Sequence, residues 1–324
     1  MSADRRSSRF SGPLMVATLL LVTFAATTVG YLWNLDRLVN DHLTRVQDAF
    51  PPEADRPVAA QPDEQGRRPL TVLFLGSQRL PDAADTPGTS ADTVMVVRVS
   101  AARDRVDVVS VPADAMVPVP GYGTDRISAA MTRGGLPLSV RTVEQLIGVR
   151  VDHVAVLDLH GVKDLTDAVG GVDVDIERPF TVGRHQFSAG LNHLDGDAAL
   201  ALVREQATLP GRDLDRARNQ HEFLRGLVAK VISGGTMSDP ALLQDLLGTA
   251  ADNLAIDEQL SPSQLRSLAL SLRRLDPADV HFATLPISSA TGLDSGPLVV
   301  HLDPAGLSRL RHALARGDMA TFRP

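Results

Sequence analysis

Apolar and polar positions fall in blocks along this chain, and the blocks set out its organisation. An uncharged, mostly apolar run covers residues 13–33, and roughly twenty such residues are enough to cross a bilayer as a helix. The next apolar block is Leu70-Thr71-Val72-Leu73-Phe74-Leu75, ended by Gly76, which predicts a buried strand. After a loop of Asp, Ala, Thr, Pro and Gly come predicted strands over residues 93–99 and 106–111. They are joined by the turn Ala101-Ala102-Arg103-Asp104 as an antiparallel hairpin. Helical spacing starts over residues 125–131 and is better over 137–147; a strand follows at 151–159. A helix over 161–169 stops at Gly170-Gly171, and residues 172–176 read as another strand. Helices are predicted over 194–205 and 214–232, then over 240–251 and 261–274. Strands near 280–285 and 298–302 precede a last helix from Pro304. No internal repeat is present. This order predicts a layered α/β/α sheet of mixed strand direction, with helices on both faces, behind an N-terminal transmembrane helix.

Charge orients the first block. Arg5, Arg6 and Arg9 precede it, Tyr31 and Trp33 stand where an aromatic belt would lie, and the first acid after it is Asp36. Arginines before the span put residues 1–12 in the cytoplasm and the body outside, a single-pass protein of the cytoplasmic membrane. A cleaved signal peptide is the competing reading, with Ala25-Ala26-Thr27 small enough to be cut. Residues 34–69 read as a stalk, with a short helix over 35–50 and a Pro-, Gln- and acid-rich linker over 51–68. The globular domain is expected over 70–232 and an α/β extension over 233–324.

Composition excludes several classes. There is no cysteine, so disulfides and thiolate metal sites are out. The net charge of −7 offers no basic field for nucleic acid, and no helix-turn-helix is evident. Positive charge is almost all arginine, Lys163 and Lys230 being the lysines, which hints at a high-GC actinobacterial source.

The chemistry concentrates in one polar sequence: Arg204, then Asp213, Leu214, Asp215, Arg216, Ala217, Arg218, Asn219 and Gln220. Asp213 suits the cap of a helix beginning at Leu214. Arg216 and Gln220, spaced i and i+4, share one face of its first turns, where the helix dipole also favours an anion. A solvated surface helix is the bland alternative. The histidines form no His-x-x-x-His pair; His153, His160, His185 and His193 read as structural or surface residues. Ser77 lacks a nucleophile elbow.

Several segments together resemble the LytR–CpsA–Psr family. They are Leu73-Phe74-Leu75-Gly76-Ser77, Ser90-Ala91-Asp92-Thr93-Val94-Met95, Val109-Ser110-Val111-Pro112-Ala113-Asp114 and Arg126-Ile127-Ser128-Ala129-Ala130. Asp167-Ala168-Val169-Gly170-Gly171-Val172-Asp173-Val174, Leu194-Asp195-Gly196-Asp197-Ala198-Ala199-Leu200-Ala201 and the Arg204-to-Gln220 set follow in the same order. The resemblance covers residues 70–232. It implies an exported, membrane-anchored phosphotransferase that moves a glycan from a polyprenyl-pyrophosphate lipid to peptidoglycan with Mg²⁺ or Mn²⁺. By that resemblance Asp92 holds the metal, Arg204 and Arg216 hold the pyrophosphate, Asp213 orients Arg216, and Gln220 contacts a phosphate oxygen. Arg126 stands where the family commonly has lysine, and Arg79 is a substitute cation in the loop beside Gln78. Asp92 as a turn residue and Arg126 as a surface charge are the structural alternatives.

The departures from the family pattern matter as much. Gln78 replaces an acid, and Ser90, Ala113, Gln206 and Asn219 each replace an arginine; His221 replaces a glutamine. Losing one preorganised transition-state donor typically costs about a hundred- to a thousandfold in rate. A second expectation therefore stands beside the enzyme: a paralogue with little catalysis that binds polyprenyl phosphate lipids and scaffolds or regulates wall assembly.

Overall fold

The computed structural model describes residues 37, 42–78, 80, 91–205, 208–209, 211, 213–233, 239–272, 274–291, 299–319 and 322. In chain order its elements begin with β1 (Thr44–Val46), β2 (Leu70–Ser77), β3 (Ala91–Val99), β4 (Val106–Val111), β5 (Met116–Val119) and β6 (Gly123–Arg126). Helix α1 (Ile127–Ile147), β7 (His153–Asp158), α2 (Gly161–Ala168), β8 (Val172–Ile176), β9 (Phe180–Val182), β10 (His185–Phe187) and β11 (Gly190–Leu194) follow. The rest is α3 (Gly196–Arg204), α4 (Asp213–Ser233), α5 (Pro240–Asp252), β12 (Leu254–Asp257) and α6 (Pro262–Leu272). The last elements are β13 (Val280–Thr284), β14 (Ile287–Thr291), β15 (Val299–Leu302) and α7 (Pro304–Arg316).

Seven strands form the central sheet in the order β1-β12-β7-β2-β3-β4-β13. Its directions are mixed, as expected: β2–β7, β4–β13 and β1–β12 are parallel, and β2–β3, β3–β4 and β12–β7 antiparallel. The predicted hairpin is β3–β4, closed by the turn in which Arg103 N–H donates to the Ser100 carbonyl. Strand side chains alternate between two apolar layers. Leu73, Leu75, Val94, Val96, Val109 and Val111 pack with Met131, Val140, Val143 and Ile147 of α1 and Leu310 and Leu314 of α7. Phe74, Met95 and Val108 face the other way, against Leu224 of α4 and Leu272 of α6. Both faces are therefore covered by helices.

Helix α1 spans the two predicted helical stretches and is broken between them. Gly134 and Gly135 leave helical geometry there, with φ at Gly135 of 61°, and Pro137 starts the second half. The strand β6 occupies the expected beginning of that helix, so the helix starts at Ile127.

Residues 34–69 do not form a free stalk where they are described. Thr44–Val46 pairs with Ala255, Ile256 and Asp257 as an edge strand of the sheet, where a helix over 35–50 was expected. Val46 and Ala49 are buried. Arg56 is buried too, bonded to Glu144 at 2.9 Å and to the Val151 carbonyl. An apolar side chain at every second position of a three-residue strand carries too little periodic signal to be read in advance. At the other end, β12 and β13 belong to the same sheet, so residues 233–324 are part of the main body and not an appended unit. Residues 13–33 lie outside the described residues. Among those described, no helix is long and apolar enough to cross a membrane.

Candidate functional site

The parallel strands β2, β7, β4 and β13 all end at one edge of the sheet, and β3 begins there. Open α/β sheets bind ligands beyond the carboxyl ends of their strands. At this edge the β2–β3 ladder slips: Gly76 pairs with Thr93 and Ser77 with Ala91, leaving Asp92 as an extra residue in a bulge. A bulge re-aims its residue out of the ladder. The Asp92 carboxylate accepts from Gln78 Nε2 at 3.0 Å.

Helix α4 brings the arginine motif over that edge. It lies directly on β8: a Cβ at Gly226 would come within 2.2 Å of the Asp173 carbonyl oxygen, so only glycine allows the approach. Its start is fixed by Asp215, which accepts from Gly211 N at 2.8 Å while Leu214 N donates to the Gly211 carbonyl. Asp215 thus closes the turn into the helix. The Asp213 side chain, expected to orient Arg216, lies outside the described residues.

The predicted i, i+4 pair does share a face, and it grips consecutive residues of β3. Arg216 Nη2 donates to the Asp92 carbonyl at 3.1 Å, and Gln220 Nε2 donates to Thr93 Oγ1 at 2.9 Å. Gln220 Nε2 also donates to the Val203 carbonyl at 3.0 Å. Both amide hydrogens are thus spent inside the protein, and Gln220 is 8% exposed. Gln220, expected to contact a phosphate oxygen, fastens α4 to β3 and α3 in this structure.

Two cavities meet at this fastener. One is a polar notch of about 10 Å³ lined by Asp92, Ser110, Pro112, Ala113 and Arg216, among others, room for about one water. The other, of about 60 Å³, is lined by Phe74, Met95, Leu157, Val203, Phe223 and Leu224, among others, and is almost wholly apolar. Thr93 and Gln220 line both.

Two further predicted residues, Arg204 and Arg126, are described and do not themselves line the notch. Arg204 ends α3 and is exposed, one residue beyond the Val203 that Gln220 holds. Arg126 lies behind the notch's Pro112–Ala113 wall. It pairs with Asp114 at 3.4 Å, while the Ala113 carbonyl accepts from Ser128 N. Arg79, Ser90 and Gln206 are outside the described residues. Ala113 lines the notch, so the cation expected there by the family pattern is replaced by a methyl group. His153, at the opposite edge, contacts Asp257 at 3.1 Å, as a structural histidine would.

The sequence reading missed one pair. His221 Nε2 lies 2.6 Å from Ser110 Oγ, both residues buried. Burial, with Arg225 nearby, pushes His221 down to about 4. The imidazole is therefore neutral, and a hydrogen bond joins its Nε2 to the Ser110 hydroxyl. Only its position next to Gln220 pointed towards the site.

Among the described residues, no three His, Asp or Glu side chains converge to hold a metal ion. Among the described residues, Asp92 is the single carboxylate lining the notch. Magnesium is commonly bound through one or two carboxylates with waters and substrate phosphate oxygens making up the rest. One carboxylate beside an arginine therefore fits such an ion when a phosphate completes the set.

Comparison with known proteins places these features. The LytR_cpsA_psr family model matches residues 39–315, taking in β1 at one end and α7 at the other. The probable cell wall biosynthesis protein LcpB of Corynebacterium glutamicum is 34% identical over 235 residues, covering 72% of this chain and 55% of that protein. The polyisoprenyl-teichoic acid–peptidoglycan teichoic acid transferase TagU of Enterococcus faecalis is 30% identical over 220 residues, covering 68% and 71%. The crystal structure of B. subtilis TagV superposes with a TM-score of 0.65 at 23% identity, covering 80% of this chain and 99% of that one, and so shares the fold. The chain spans about half the length of its corynebacterial relatives, 55% and 51%.

Proposed function

The chain belongs to the LytR_cpsA_psr family, and from that premise we propose that it transfers a cell-wall glycopolymer from a polyprenyl-pyrophosphate carrier to peptidoglycan. It acts outside the cytoplasmic membrane, anchored by residues 13–33. The observation that supports this most is the junction of the two cavities. A prenyl pyrophosphate is an amphiphile, with a polyanionic head and a hydrocarbon tail. Arg216 and Asp92 stand at the polar notch, and the apolar cavity begins on the other side of Thr93 and Gln220.

In this reading Arg216 binds the carrier-side phosphate, a planar cation matched to phosphate oxygens. Exposed Arg204 adds a second charge at the rim, and Arg126 a third, part-neutralised by Asp114. The acceptor hydroxyl oxygen attacks the glycan-bearing phosphorus, the bond to the bridging oxygen breaks, and prenyl monophosphate leaves, the hydroxyl proton passing to the departing phosphate. Asp92 would hold Mg²⁺ or Mn²⁺, which would neutralise charge on the phosphates. The Thr93–Gln220 bond opens to pass the tail.

A second reading rests on a specific contact. The Gln78 amide occupies Asp92 Oδ2, and Ala113 leaves the notch without a cation on that wall. These favour a paralogue that binds the lipid phosphate without turning it over. The test is transfer of labelled glycan from a polyprenyl-pyrophosphate donor to peptidoglycan by the full-length chain with Mg²⁺. Transfer lost in Asp92→Ala and on chelation supports the enzyme. Lipid binding without transfer supports the paralogue.

A further inference from the structure

The path of the chain into the sheet says which way the site faces. Strand β1 runs parallel to β12, and β12 antiparallel to β7, so β1 begins at the edge where β7 ends. That is the edge carrying Asp92. The entry point is pinned there: Leu43 is buried against Ala251, Ile256 and Leu260, and His42 Nδ1 lies 2.8 Å from Asp252 Oδ1. From Asp252 the edge continues through Asn253, whose carbonyl accepts from Asp158 N, to Ser77, which pairs with both Asp158 and Ala91. Four inter-strand steps separate β1 from β3, so the entry point lies about 19 Å from Asp92.

The uncharged run ends at Trp33, and residues 34–43 join it to β1. Ten residues reach at most about 35 Å when fully extended. The nine-residue β3 makes the sheet about 30 Å tall. Turning the opposite edge to the bilayer would use nearly the whole reach of the tether to climb the body. Resting the Asp92 edge on the bilayer needs almost none of it. We propose that this edge faces the outer surface of the membrane, so that the notch opens onto the layer of lipid headgroups. The inference rests on residues 13–33 being a retained anchor; it does not require that the site be catalytic.

The chain has no cysteine, so single labels are clean. His160, exposed just beyond the end of β7, marks the Asp92 edge, and Ala102, exposed in the β3–β4 turn, marks the opposite one. Full-length His160→Cys and Ala102→Cys would each carry a bimane fluorophore in nanodiscs containing headgroup spin-labelled phosphatidylcholine. Quenching at position 160 is expected to be several-fold stronger than at 102. It should fall towards the 102 level when a flexible Gly-Ser spacer of about twenty residues follows Asn34. Equal or reversed quenching in nanodisc-bound protein overturns the proposal while leaving the anchor intact. Protein that does not co-elute with nanodiscs overturns the anchor and the proposal together.

Discussion

The Gln220 amide donates to Thr93 Oγ1 at 2.9 Å, and this bond divides a polar notch from an apolar cavity. The same nitrogen holds the Val203 carbonyl, so one side chain ties α4 to β3 and α3. Gln220→Ala is expected to strand two buried acceptors and cost about 2 kcal/mol of stability. A lowered urea midpoint with unchanged slope checks it. Because the partition is also removed, uptake of an apolar fluorescent probe should rise in the folded variant. A variant as stable as the parent would show that the bond holds nothing in place.

Gln78 and Asp92 give a second test. Their contact of 3.0 Å takes up a carboxylate oxygen that a metal ion could use. Gln78→Asp replaces the amide donor with a second carboxylate. Without a divalent ion, the two negative charges should lower the melting temperature. With Mg²⁺ the loss should reverse, and the Mg²⁺ response should exceed that of the parent. Thermal unfolding with and without Mg²⁺ reads both effects.

His221 predicts a pH dependence of stability. Its folded value, about 4, lies below the ordinary 6.5 because burial disfavours the charged ring. The unfolded chain binds the extra proton first, so the contribution is complete above about pH 6.5 and is lost as pH falls towards 4. Its ceiling is about 3 kcal/mol. His221→Gln should flatten the stability profile between these pH values. An unchanged profile would place the titration elsewhere.

The Arg56–Glu144 pair fastens the segment after β1 to α1. Both side chains are nearly inaccessible, 3% and 1%. Glu144→Ala leaves the buried guanidinium with Glu53, at 3.9 Å, as its remaining acidic partner and is expected to cost about 3 kcal/mol. Arg56→Met with Glu144→Gln should recover part of that loss. Denaturant unfolding of the two variants compares them.

The hairpin, the strand ending at Gly76, the helices around the arginine motif and the Arg216–Gln220 face were all legible, because each repeats a simple period over many residues. Strand β1 was hidden because three residues carry no period, and β12 because four residues between two helices carry little more. The role of Gln220 was hidden for a different reason. An amide at i+4 from an arginine looks the same in sequence whatever it faces, so the Gln220 contacts with Thr93 and Val203 have no local signature. The Ser110–His221 pair joins residues 111 positions apart and has no local signature.

The central claim is that the notch and the apolar cavity hold the two halves of one amphiphile. The most direct measurement is photocrosslinking of the full-length protein with a short prenyl pyrophosphate that carries a diazirine on its tail. Adducts are expected on Leu157, Phe223 or Leu224, competed by polyprenyl phosphate and weakened about tenfold or more in Arg216→Ala. Adducts confined to other surfaces, or labelling of the cavity that is indifferent to Arg216, would contradict it.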